Sequence, residues 1–368
     1  MGDKAYFHQE SLIIEFAGKR GVVSTSNHNG GYRNDLCYAF NHSCGRALLS
    51  SKKACPGMKG KNIAEHYAIT TRELGLPVEA TTGMGTAALI ENRASATRTY
   101  HGVEVMAVVT AGVDVNGGRA GDPATYDEFA KASLLLPPGT INIFLFINAQ
   151  LDPGALTRAI VTATEAKTAA LQELMAASMY SEGLATGSGT DSVIAVCNED
   201  SPVVLYNAGK HVLLGEMIGQ SVKEAVHKAL ANQTGMNPER QASIEWQCKR
   251  YNITRERILS YATHIDAQAD KGKLREVISS IDSEQEIFTP IAGIVHFVDQ
   301  NRWGMISDDS LLNTSQMLLT AMLSQQGLEP LDLKRVRLHQ GAGDTPIYRL
   351  LISDLTLALA YVALNRLK

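Results

Sequence analysis

The sequence predicts an α+β protein that has a mixed or antiparallel β-sheet core, packed helices and a mostly helical C-terminal extension. Two short apolar runs, residues 141–147 and 193–197, are typical of buried strands because they are turn-bounded and rich in β-branched or aromatic side chains. A stretch rich in alanine and leucine separates the two runs. Beyond residue 236 the apolar periodicity is mainly helical. These three observations define the fold class.

The central unit runs from residue 139 to about residue 197. Asp152 can cap a helix and Pro153 can occupy its first turn, so a helix is predicted from there to about residue 175. A turn rich in glycine and hydroxyl side chains, residues 185–192, leads into the second strand. Strand, helix, turn and strand together predict one βαβ-like unit.

The N-terminal part begins with two predicted strands, residues 11–16 and 21–25. A polar segment follows at residues 26–34, where paired glycines let the backbone fold back or approach a ligand. A well-bonded turn and a substrate-contacting loop both fit this segment. A helix is predicted at residues 62–76.

Two glycine-rich segments are similar to each other. Residues 82–90 align with residues 186–194, which suggests an internal pseudo-repeat of two β-rich halves; a chance match of two Gly-Thr turns is the competing interpretation. The first segment also mimics a dinucleotide-binding fingerprint. We reject that site because strand-like residues follow it, where the fingerprint needs the start of a helix.

A predicted strand at residues 103–109 leads into a glycine-rich polar segment, residues 110–122. Loops at strand ends often carry function, so this segment is a candidate for ligand contact. The turn at residues 235–238 is the predicted boundary between an α/β domain, residues 1–235, and a mostly helical region of unknown role, residues 236–368. Within that region, residues 291–298 are predicted to add a strand.

Composition excludes several classes of function. A net charge of −4 without a run of Lys or Arg argues against nucleic acid or an anionic membrane as partner. Five cysteines without a C-x-x-C pattern predict reduced thiols, and with no apolar signal segment they predict a cytoplasmic protein. The apolar segment at residues 350–364 is predicted to be too short to span a bilayer.

Four segments of the chain resemble, in order, the motifs of the CbiZ-type adenosylcobinamide amidohydrolases: residues 139–142, 164–168, 185–191 and 215–218. The Gly-Gly turn and the loop at residues 110–121 also resemble that family, and the likeness covers roughly residues 10–232. One departure is Ser188, where the resemblance leads us to expect threonine.

The resemblance implies a corrinoid-salvage enzyme, in cobalamin biosynthesis, that cuts the amide between the aminopropanol arm and the corrin ring. Its partner would be a corrinoid small molecule, and cobalt would enter with the substrate, so no cofactor or metal held by the protein is implied. The alternatives are a corrinoid-binding or sensing protein without turnover, and a hydrolase for another bulky amide. The sequence leaves a monomer and a homo-oligomer open.

Residue type and position, not the family, provide the catalytic candidates. Amide hydrolysis needs a nucleophile, a proton shuttle for the leaving amine and donors to the oxyanion. The sequence contains no G-x-S-x-G or H-E-x-x-H pattern. We therefore expect water activated by Asp191 or Glu165, and a leaving amine protonated by His28 or His211; Ser188 and Thr190 are rival nucleophiles.

Glycine-rich turns and amide or hydroxyl side chains provide the substrate-binding candidates. The corrin rim carries many amides, which need hydrogen-bond partners. The candidates are Asn29, Gly30, Gly31, Asn116, Arg119, Thr140, Asn142, Lys167, Thr186, Ser188 and Thr190. Glu165 and Lys167 are two positions apart on one helix, so each is expected to find a different partner.

Overall fold

A computed structural model describes residues 1–44, 59–127, 129, 132–133, 139–331 and 346–367. The chain forms two compact units, Met1–Asn237 and Pro238–Lys368.

The larger sheet of the first unit contains, within the described residues, six strands in the order β4-β3-β15-β12-β8-β7. In chain order they are β3 (Arg20–Ser24), β4 (Gly31–Arg33), β7 (Ala94–Tyr100), β8 (Val103–Gly112), β12 (Thr140–Ile147) and β15 (Ser192–Asn198). Strand β12 pairs in parallel with β15, and the other neighbours are antiparallel. The predicted βαβ unit is confirmed.

Two long helices cover one face of this sheet: α2 (Pro153–Glu173) and α3 (Leu213–Thr234). Helix α2 begins as predicted, because the Asp152 side chain accepts hydrogen bonds from the backbone of Gly154 and Ala155. The helices bury small and branched side chains in one core with the odd-numbered residues of β12.

A second sheet lies on the opposite face of β12. Its described strands run in the order β1-β2-β5-β6, and helix α1 (Ile63–Glu73) connects the parallel pair β5 and β6. Their bounds are β1 (Lys4–His8), β2 (Ser11–Glu15), β5 (Tyr38–Ser43) and β6 (Thr81–Thr86). Phe144 and Phe146 of β12 share a core with Leu12 and Ile14 of β2. Since β12 is buried on both faces, its sequence is a continuous apolar run.

Short pairs complete the first unit: β9 (Gly117–Gly118) with β14 (Gly187–Ser188), β10 (Tyr126–Asp127) with β11 (Ala132–Ser133), and β13 (Gln150–Leu151) with β16 (Val204–Leu205). Single 3₁₀ turns occur at Val78–Ala80 and Ile90–Asn92.

The two similar glycine segments do not form equivalent elements. The first is the strand β6, whereas the aligned residues of the second form β14 and a turn before β15. The alignment of glycines therefore does not identify a structural repeat. At the level of elements, each half does contain one parallel strand pair joined through a helix: β5, α1 and β6, and β12, α2 and β15.

The described part of the second unit contains seven α-helices: α4 (Pro238–Gln241), α5 (Ile244–Cys248), α6 (Arg255–Ile265), α7 (Lys271–Ile281), α8 (Gln285–Arg302), α9 (Asp308–Gln325) and α10 (Ile347–Leu367). A 3₁₀ turn, Lys249–Tyr251, follows α5. The strand predicted at residues 291–298 is wrong, since these residues lie inside α8.

Two further expectations need correction. The apolar segment at residues 350–364 was predicted to be too short to span a bilayer, but it lies inside the longer helix α10. Among the described residues, α10 is the one helix that is long and apolar enough to cross a membrane. Half of its most apolar window is buried within the protein, as in a core helix. Cys44 is disulfide-bonded, whereas Cys37, Cys197 and Cys248 are free. The prediction that the thiols are reduced is therefore wrong for Cys44.

Candidate active site

A cavity of about 570 Å³ lies where β12 and β15 begin and where the segment after β8 folds back. That volume is within the range of small-molecule sites, about 300–1,000 Å³. The predicted binding residues that line it are Asn116, Arg119, Lys167, Thr186, Ser188 and Thr190. The sequence thus locates six substrate-binding candidates that the fold brings together from three separate segments.

Lys167 and Asp191 form an ion pair at the cavity wall. Lys167 Nζ lies 2.5 Å from Asp191 Oδ2, and the two side chains are only 9% and 11% exposed. Gly187 leaves room for this pair, because a Cβ at position 187 would lie 2.2 Å from Asp191 Oδ2. A buried ion pair of this kind needs further hydrogen bonds to offset the cost of desolvation.

Asp191 receives those bonds from the surrounding backbone and from a hydroxyl. Oδ1 accepts from the Ile141 backbone N at 2.9 Å and from Ser188 Oγ at 2.7 Å. Oδ2 accepts from the Ser188 backbone N at 3.0 Å in addition to Lys167. Asp191 therefore connects the start of β12, the turn before β15 and helix α2.

The carbonyl oxygen of Gly139 is the second centre of the site. It accepts hydrogen bonds from Asn116 Nδ2 at 2.5 Å and from Thr190 Oγ1 at 3.1 Å. Ser188 Oγ lies 3.4 Å from it, but its single proton points to the closer acceptor, Asp191 Oδ1, at 2.7 Å. Glycine is needed here, since a Cβ would lie 2.2 Å from Asn116 Oδ1. Two side-chain donors that line the cavity thus converge on one oxygen atom, with a third hydroxyl close by.

Thr140 and Asn142 lie beside the cavity but inside the protein. They are 2% and 1% exposed. Thr140 Oγ1 donates to the Thr190 carbonyl at 2.8 Å. Asn142 Nδ2 donates to Asn41 Oδ1 and to the Gly85 carbonyl, both at 2.9 Å. Direct substrate contact, as predicted for Asn142, is not available to a side chain with this burial and these bonds.

Arg119 opens a tight turn that forms another wall. Its backbone N donates to Asp122 Oδ2 at 2.7 Å, and Ser178 Oγ donates to the same oxygen at 2.6 Å. Burial raises the pKa of Asp122, but hydrogen bonds from Ser178, Ser181 and the Arg119 backbone outweigh it and lower the pKa overall. This turn is stabilised by an ionised carboxylate.

Glu165 does not share the cavity with Asp191. Its carboxylate pairs with Lys210 Nζ at 3.0 Å, and it lines a separate groove between α2 and α3. The expectation that Glu165 and Lys167 have different partners is confirmed. The candidates Asp191, Glu165 and Asn116 therefore do not meet in one hollow, because side chains two positions apart on a helix point to different sides.

His211 and His28 also lie elsewhere. His211 lines a third cavity with Asp152 and Arg158 at the start of α2, and Lys167 is nine residues past Arg158, about 14 Å along a helix. His28 follows β3; burial lowers its pKa. In the part of the chain that the structure describes, no histidine lines the cavity of Asn116 and Lys167.

The Gly-Gly turn packs against the second sheet. Asn29 Nδ2 donates to the carbonyls of Val78 and Thr81, at 2.7 and 2.8 Å. Gly30 is required by packing, since a Cβ there would lie 1.9 Å from the Ser26 carbonyl oxygen, and Gly31 has a φ of +78°. The turn that the sequence left open between structure and ligand contact is hydrogen-bonded within the protein.

Sequence reasoning missed several cavity residues. Asp122, Tyr180 and Gly187 line or shape the cavity without having been singled out. The glycine-rich polar loop that ends at Asp122 carried a signal, but Tyr180 is an isolated residue without a motif. The role of the Gly139 carbonyl has no sequence signal, because every residue has a carbonyl.

Comparisons with known proteins agree with the organisation of the first unit. Residues 1–238 match the family described as adenosylcobinamide amidohydrolase, CbiZ. An uncharacterised protein of Methanocaldococcus jannaschii is 36% identical over 235 residues, which are 61% of this chain and 87% of that protein.

Three solved structures are similar at a TM-score of 0.29. A protein from Pyrococcus horikoshii OT3 is 13% identical, with 61% of this chain and 78% of that chain covered. A Burkholderia sp. beta-aminopeptidase is 14% identical, with 60% and 78% covered. An l-aminopeptidase d-ala-esterase/amidase from Ochrobactrum anthropi is 12% identical, with 64% and 86% covered. Because the family match spans more than half of its length, this chain belongs to the adenosylcobinamide amidohydrolase (CbiZ) family.

Proposed function

We propose that the protein hydrolyses the amide between the aminopropanol arm and the corrin ring of adenosylcobinamide and releases adenosylcobyric acid. Family membership supports an amide hydrolase. The observation that carries the proposal is the convergence of the Asn116 and Thr190 donors on one oxygen position beside the cavity, with the Ser188 hydroxyl close by. Donors held in advance around one oxygen stabilise the oxyanion that forms when an amide carbonyl is attacked.

The hydrogen bonds of Asp191 favour a hydroxyl nucleophile over water activated by a carboxylate. Each of the two Asp191 oxygens already accepts two hydrogen bonds, and one of these four bonds comes from the Lys167 ammonium. A general base needs a free lone pair within reach of the proton that it removes. Asp191 is therefore proposed as a positioning residue, which orients Lys167, Ser188 and the start of β12.

Substrate recognition is proposed to use the rest of the cavity wall. Arg119, Thr186 and the exposed Thr190 offer donors and acceptors to the amides of the corrin rim. A corrinoid is larger than a typical drug-sized ligand, so we propose that the arm and the adjoining rim enter the cavity and that the rest of the ring stays outside. Cobalt belongs to the substrate in this proposal.

One observation favours the alternative, a corrinoid-binding or sensing protein without turnover. No histidine among the described residues lines the cavity, so the usual proton shuttle for a leaving amine is not at hand. The same assay distinguishes the two functions, since a binding protein would take up adenosylcobinamide and return it unchanged.

The test is incubation of purified protein with adenosylcobinamide, followed by chromatographic detection of adenosylcobyric acid. We expect Asn116→Ala to reduce kcat by about 10²–10³, the usual cost of one oxyanion donor. The matched control is Glu165→Gln, which removes the exposed pair with Lys210 outside the cavity and should leave kcat unchanged. Absence of product from the unmodified protein, with retained binding, would favour the sensing function.

A cytoplasmic location and a role in corrinoid salvage remain part of the proposal. Fractionation of cells, combined with thiol labelling of Cys44 before and after reduction, tests the location. Growth of a deletion strain on cobinamide as the corrinoid source tests the role.

A further inference from the structure

The Gly139 carbonyl oxygen has an unusual set of partners. A backbone carbonyl has two lone pairs and in most loops accepts one or two hydrogen bonds. Here both lone pairs are taken by side chains that line the cavity, the Asn116 amide and the Thr190 hydroxyl, and a third, the Ser188 hydroxyl, lies 3.4 Å away while it donates to Asp191. The peptide bond that this carbonyl belongs to is followed directly by Thr140, a residue with a β-hydroxyl.

We propose that the chain cuts its own backbone between Gly139 and Thr140, and that the new N-terminal Thr140 is the nucleophile of the amidohydrolase. The first half of this inference stands on the geometry of the Gly139 carbonyl alone. The second half rests on the function proposed above.

The first step is an acyl shift from nitrogen to oxygen. Thr140 Oγ1 attacks the Gly139 carbonyl carbon through a five-membered ring, and the carbonyl oxygen becomes an oxyanion that Asn116 and Thr190 stabilise. The C–N bond then breaks, and the hydroxyl proton passes to the departing nitrogen. The product is an ester between the Gly139 acyl group and Thr140 Oγ1, with a free α-amine on Thr140.

A water molecule completes the reaction. It attacks the ester carbonyl, and the C–O bond breaks. Gly139 keeps the new carboxylate, and Thr140 recovers its hydroxyl proton from the water. The net change is hydrolysis of one peptide bond, and no cofactor or oxidant is needed.

The fold holds both partners of this reaction in place. Thr140 is the first residue of β12, which β8 and β15 flank, and Thr140 Oγ1 is held by the Thr190 carbonyl at 2.8 Å. On the other side of the bond, Gly139 packs so closely against Asn116 and the Gly112 carbonyl that a Cβ would lie 2.2 and 2.7 Å from them. Positions fixed on both sides of one bond favour an intramolecular attack.

Cleavage would turn the site into one that acts on a second amide. Thr140 is 2% exposed in the intact chain, and its Oγ1 bonds to the carbonyl of Thr190, which lines the cavity. Movement of residue 139 away from it after cleavage would open the hydroxyl to the cavity. The new α-amine would serve as the base, as in other N-terminal threonine nucleophiles. Asn116 and Thr190 would then be free to bind the carbonyl oxygen of the corrinoid amide. An α-amine in this role would explain how the site can work without a histidine among the described residues that line the cavity.

The test uses the full chain, purified and incubated without protease, and mass measured under denaturing conditions. We expect two fragments, residues 1–139 and 140–368, the second with an N-terminal Thr-Ile-Asn sequence that periodate oxidises at its amino alcohol. Thr140→Val keeps the shape of the side chain and should stay whole, and Thr140→Ser should still be cut. Thr25→Val is the control, because Thr25 is a hydroxyl residue at the same sheet edge that bonds to Val193.

The outcomes separate the two halves of the inference. An unmodified chain that stays whole, or a Thr140→Val chain that is cut at the same bond, overturns self-cleavage. Fragments without adenosylcobyric acid leave self-cleavage standing and refute the proposed function. If the unmodified chain is cut but Thr140→Val keeps full turnover, Thr140 is not the nucleophile. We expect Thr140→Val to lose at least about a thousandfold in kcat. Exclusion of an alkylating reagent from the buried Cys197 confirms that each variant is folded.

Discussion

Replacing Asp191 with asparagine should destabilise the first unit more than replacing its partner Lys167 with methionine. Asp191 is the acceptor for four described donors, and Lys167 is only 9% exposed on its side chain. Asparagine removes the negative charge but keeps the shape. The substitution therefore leaves a lysine ammonium in a nearly buried site without its counter-charge.

The magnitude follows from the atoms. An asparagine can offer one carbonyl oxygen and one NH₂ group in place of two acceptors. If the NH₂ group replaces Oδ2, it faces Lys167 Nζ and the Ser188 backbone N, both of which are donors. If it replaces Oδ1, the Ile141 backbone N loses its acceptor, while Ser188 Oγ can turn and accept. The second orientation costs less, and with the unpaired lysine the total is about 3–5 kcal/mol.

Lys167→Met should cost less, about 1–3 kcal/mol, since Asp191 keeps three other donors. In the double variant neither charge is buried, so its cost should be smaller than the sum of the two by about 0.5–3 kcal/mol. Glu165→Gln is the control. It breaks an exposed pair with Lys210 on the same helix and should cost less than about 1 kcal/mol.

The assay must report on the first unit alone. Both tryptophans, Trp246 and Trp303, lie in the second unit, so their fluorescence follows that unit. Cys197 lies in β15 and is 0% exposed, and its alkylation during a denaturant titration, read by mass spectrometry, follows the first unit. Equal costs for the two single variants, and an additive double variant, would refute the reasoning.

Three further perturbations have definite expected outcomes. Gly187→Ala places a methyl 2.2 Å from Asp191 Oδ2 and should cost about 1–3 kcal/mol by Cys197 alkylation, whereas the control Gly189→Ala meets no atom within 4 Å and should be neutral. Burial, with Lys59 and His66, lowers the pKa of His42 to about 4, below its usual 6.5. The folded protein keeps this ring neutral, so the free energy of unfolding should fall by up to about 3 kcal/mol as the pH drops from about 6.5 to 4. His42→Gln should flatten this pH dependence, and an unchanged slope in that variant contradicts the prediction. Tyr251→Phe removes a donor to Asp299 at 2.6 Å and should lower the free energy of unfolding of the second unit by about 1–3 kcal/mol in tryptophan fluorescence; an unchanged midpoint contradicts it.

The central fold could be predicted from local signals. The run at residues 141–147 predicted a buried strand, and the Asp152-Pro153 pair predicted the start of α2. The run at residues 291–298 has a similar composition, yet it is helical. Its buried residues, Ile291, Ile294, Val295 and Val298, continue a stripe from Ile287 at spacings of three and four, and that spacing extends beyond a short window.

The site was predictable only in part. Hydroxyl, amide and charged side chains of two glycine-rich segments and of helix α2 do meet at the cavity. Histidines and Glu165 were chosen for chemical type, but the helix turn directs Glu165 away from the side of Lys167. The Asn116 and Thr190 donors meet at the Gly139 carbonyl oxygen because of where the backbone lies, and backbone position cannot be predicted from residue type.

The polar contacts of Asn142 fix the alignment of β12 within the layers. Even-numbered residues of β12 face the second sheet and odd-numbered ones face α2 and α3. A slip by one residue would move the Asn142 amide away from Asn41 and Gly85 and into a layer of aliphatic side chains. Such burial without partners costs several kcal/mol, about 2–7. The Asn142 amide thus fixes the register of β12, and this register keeps the Gly139–Thr140 peptide bond next to Asn116.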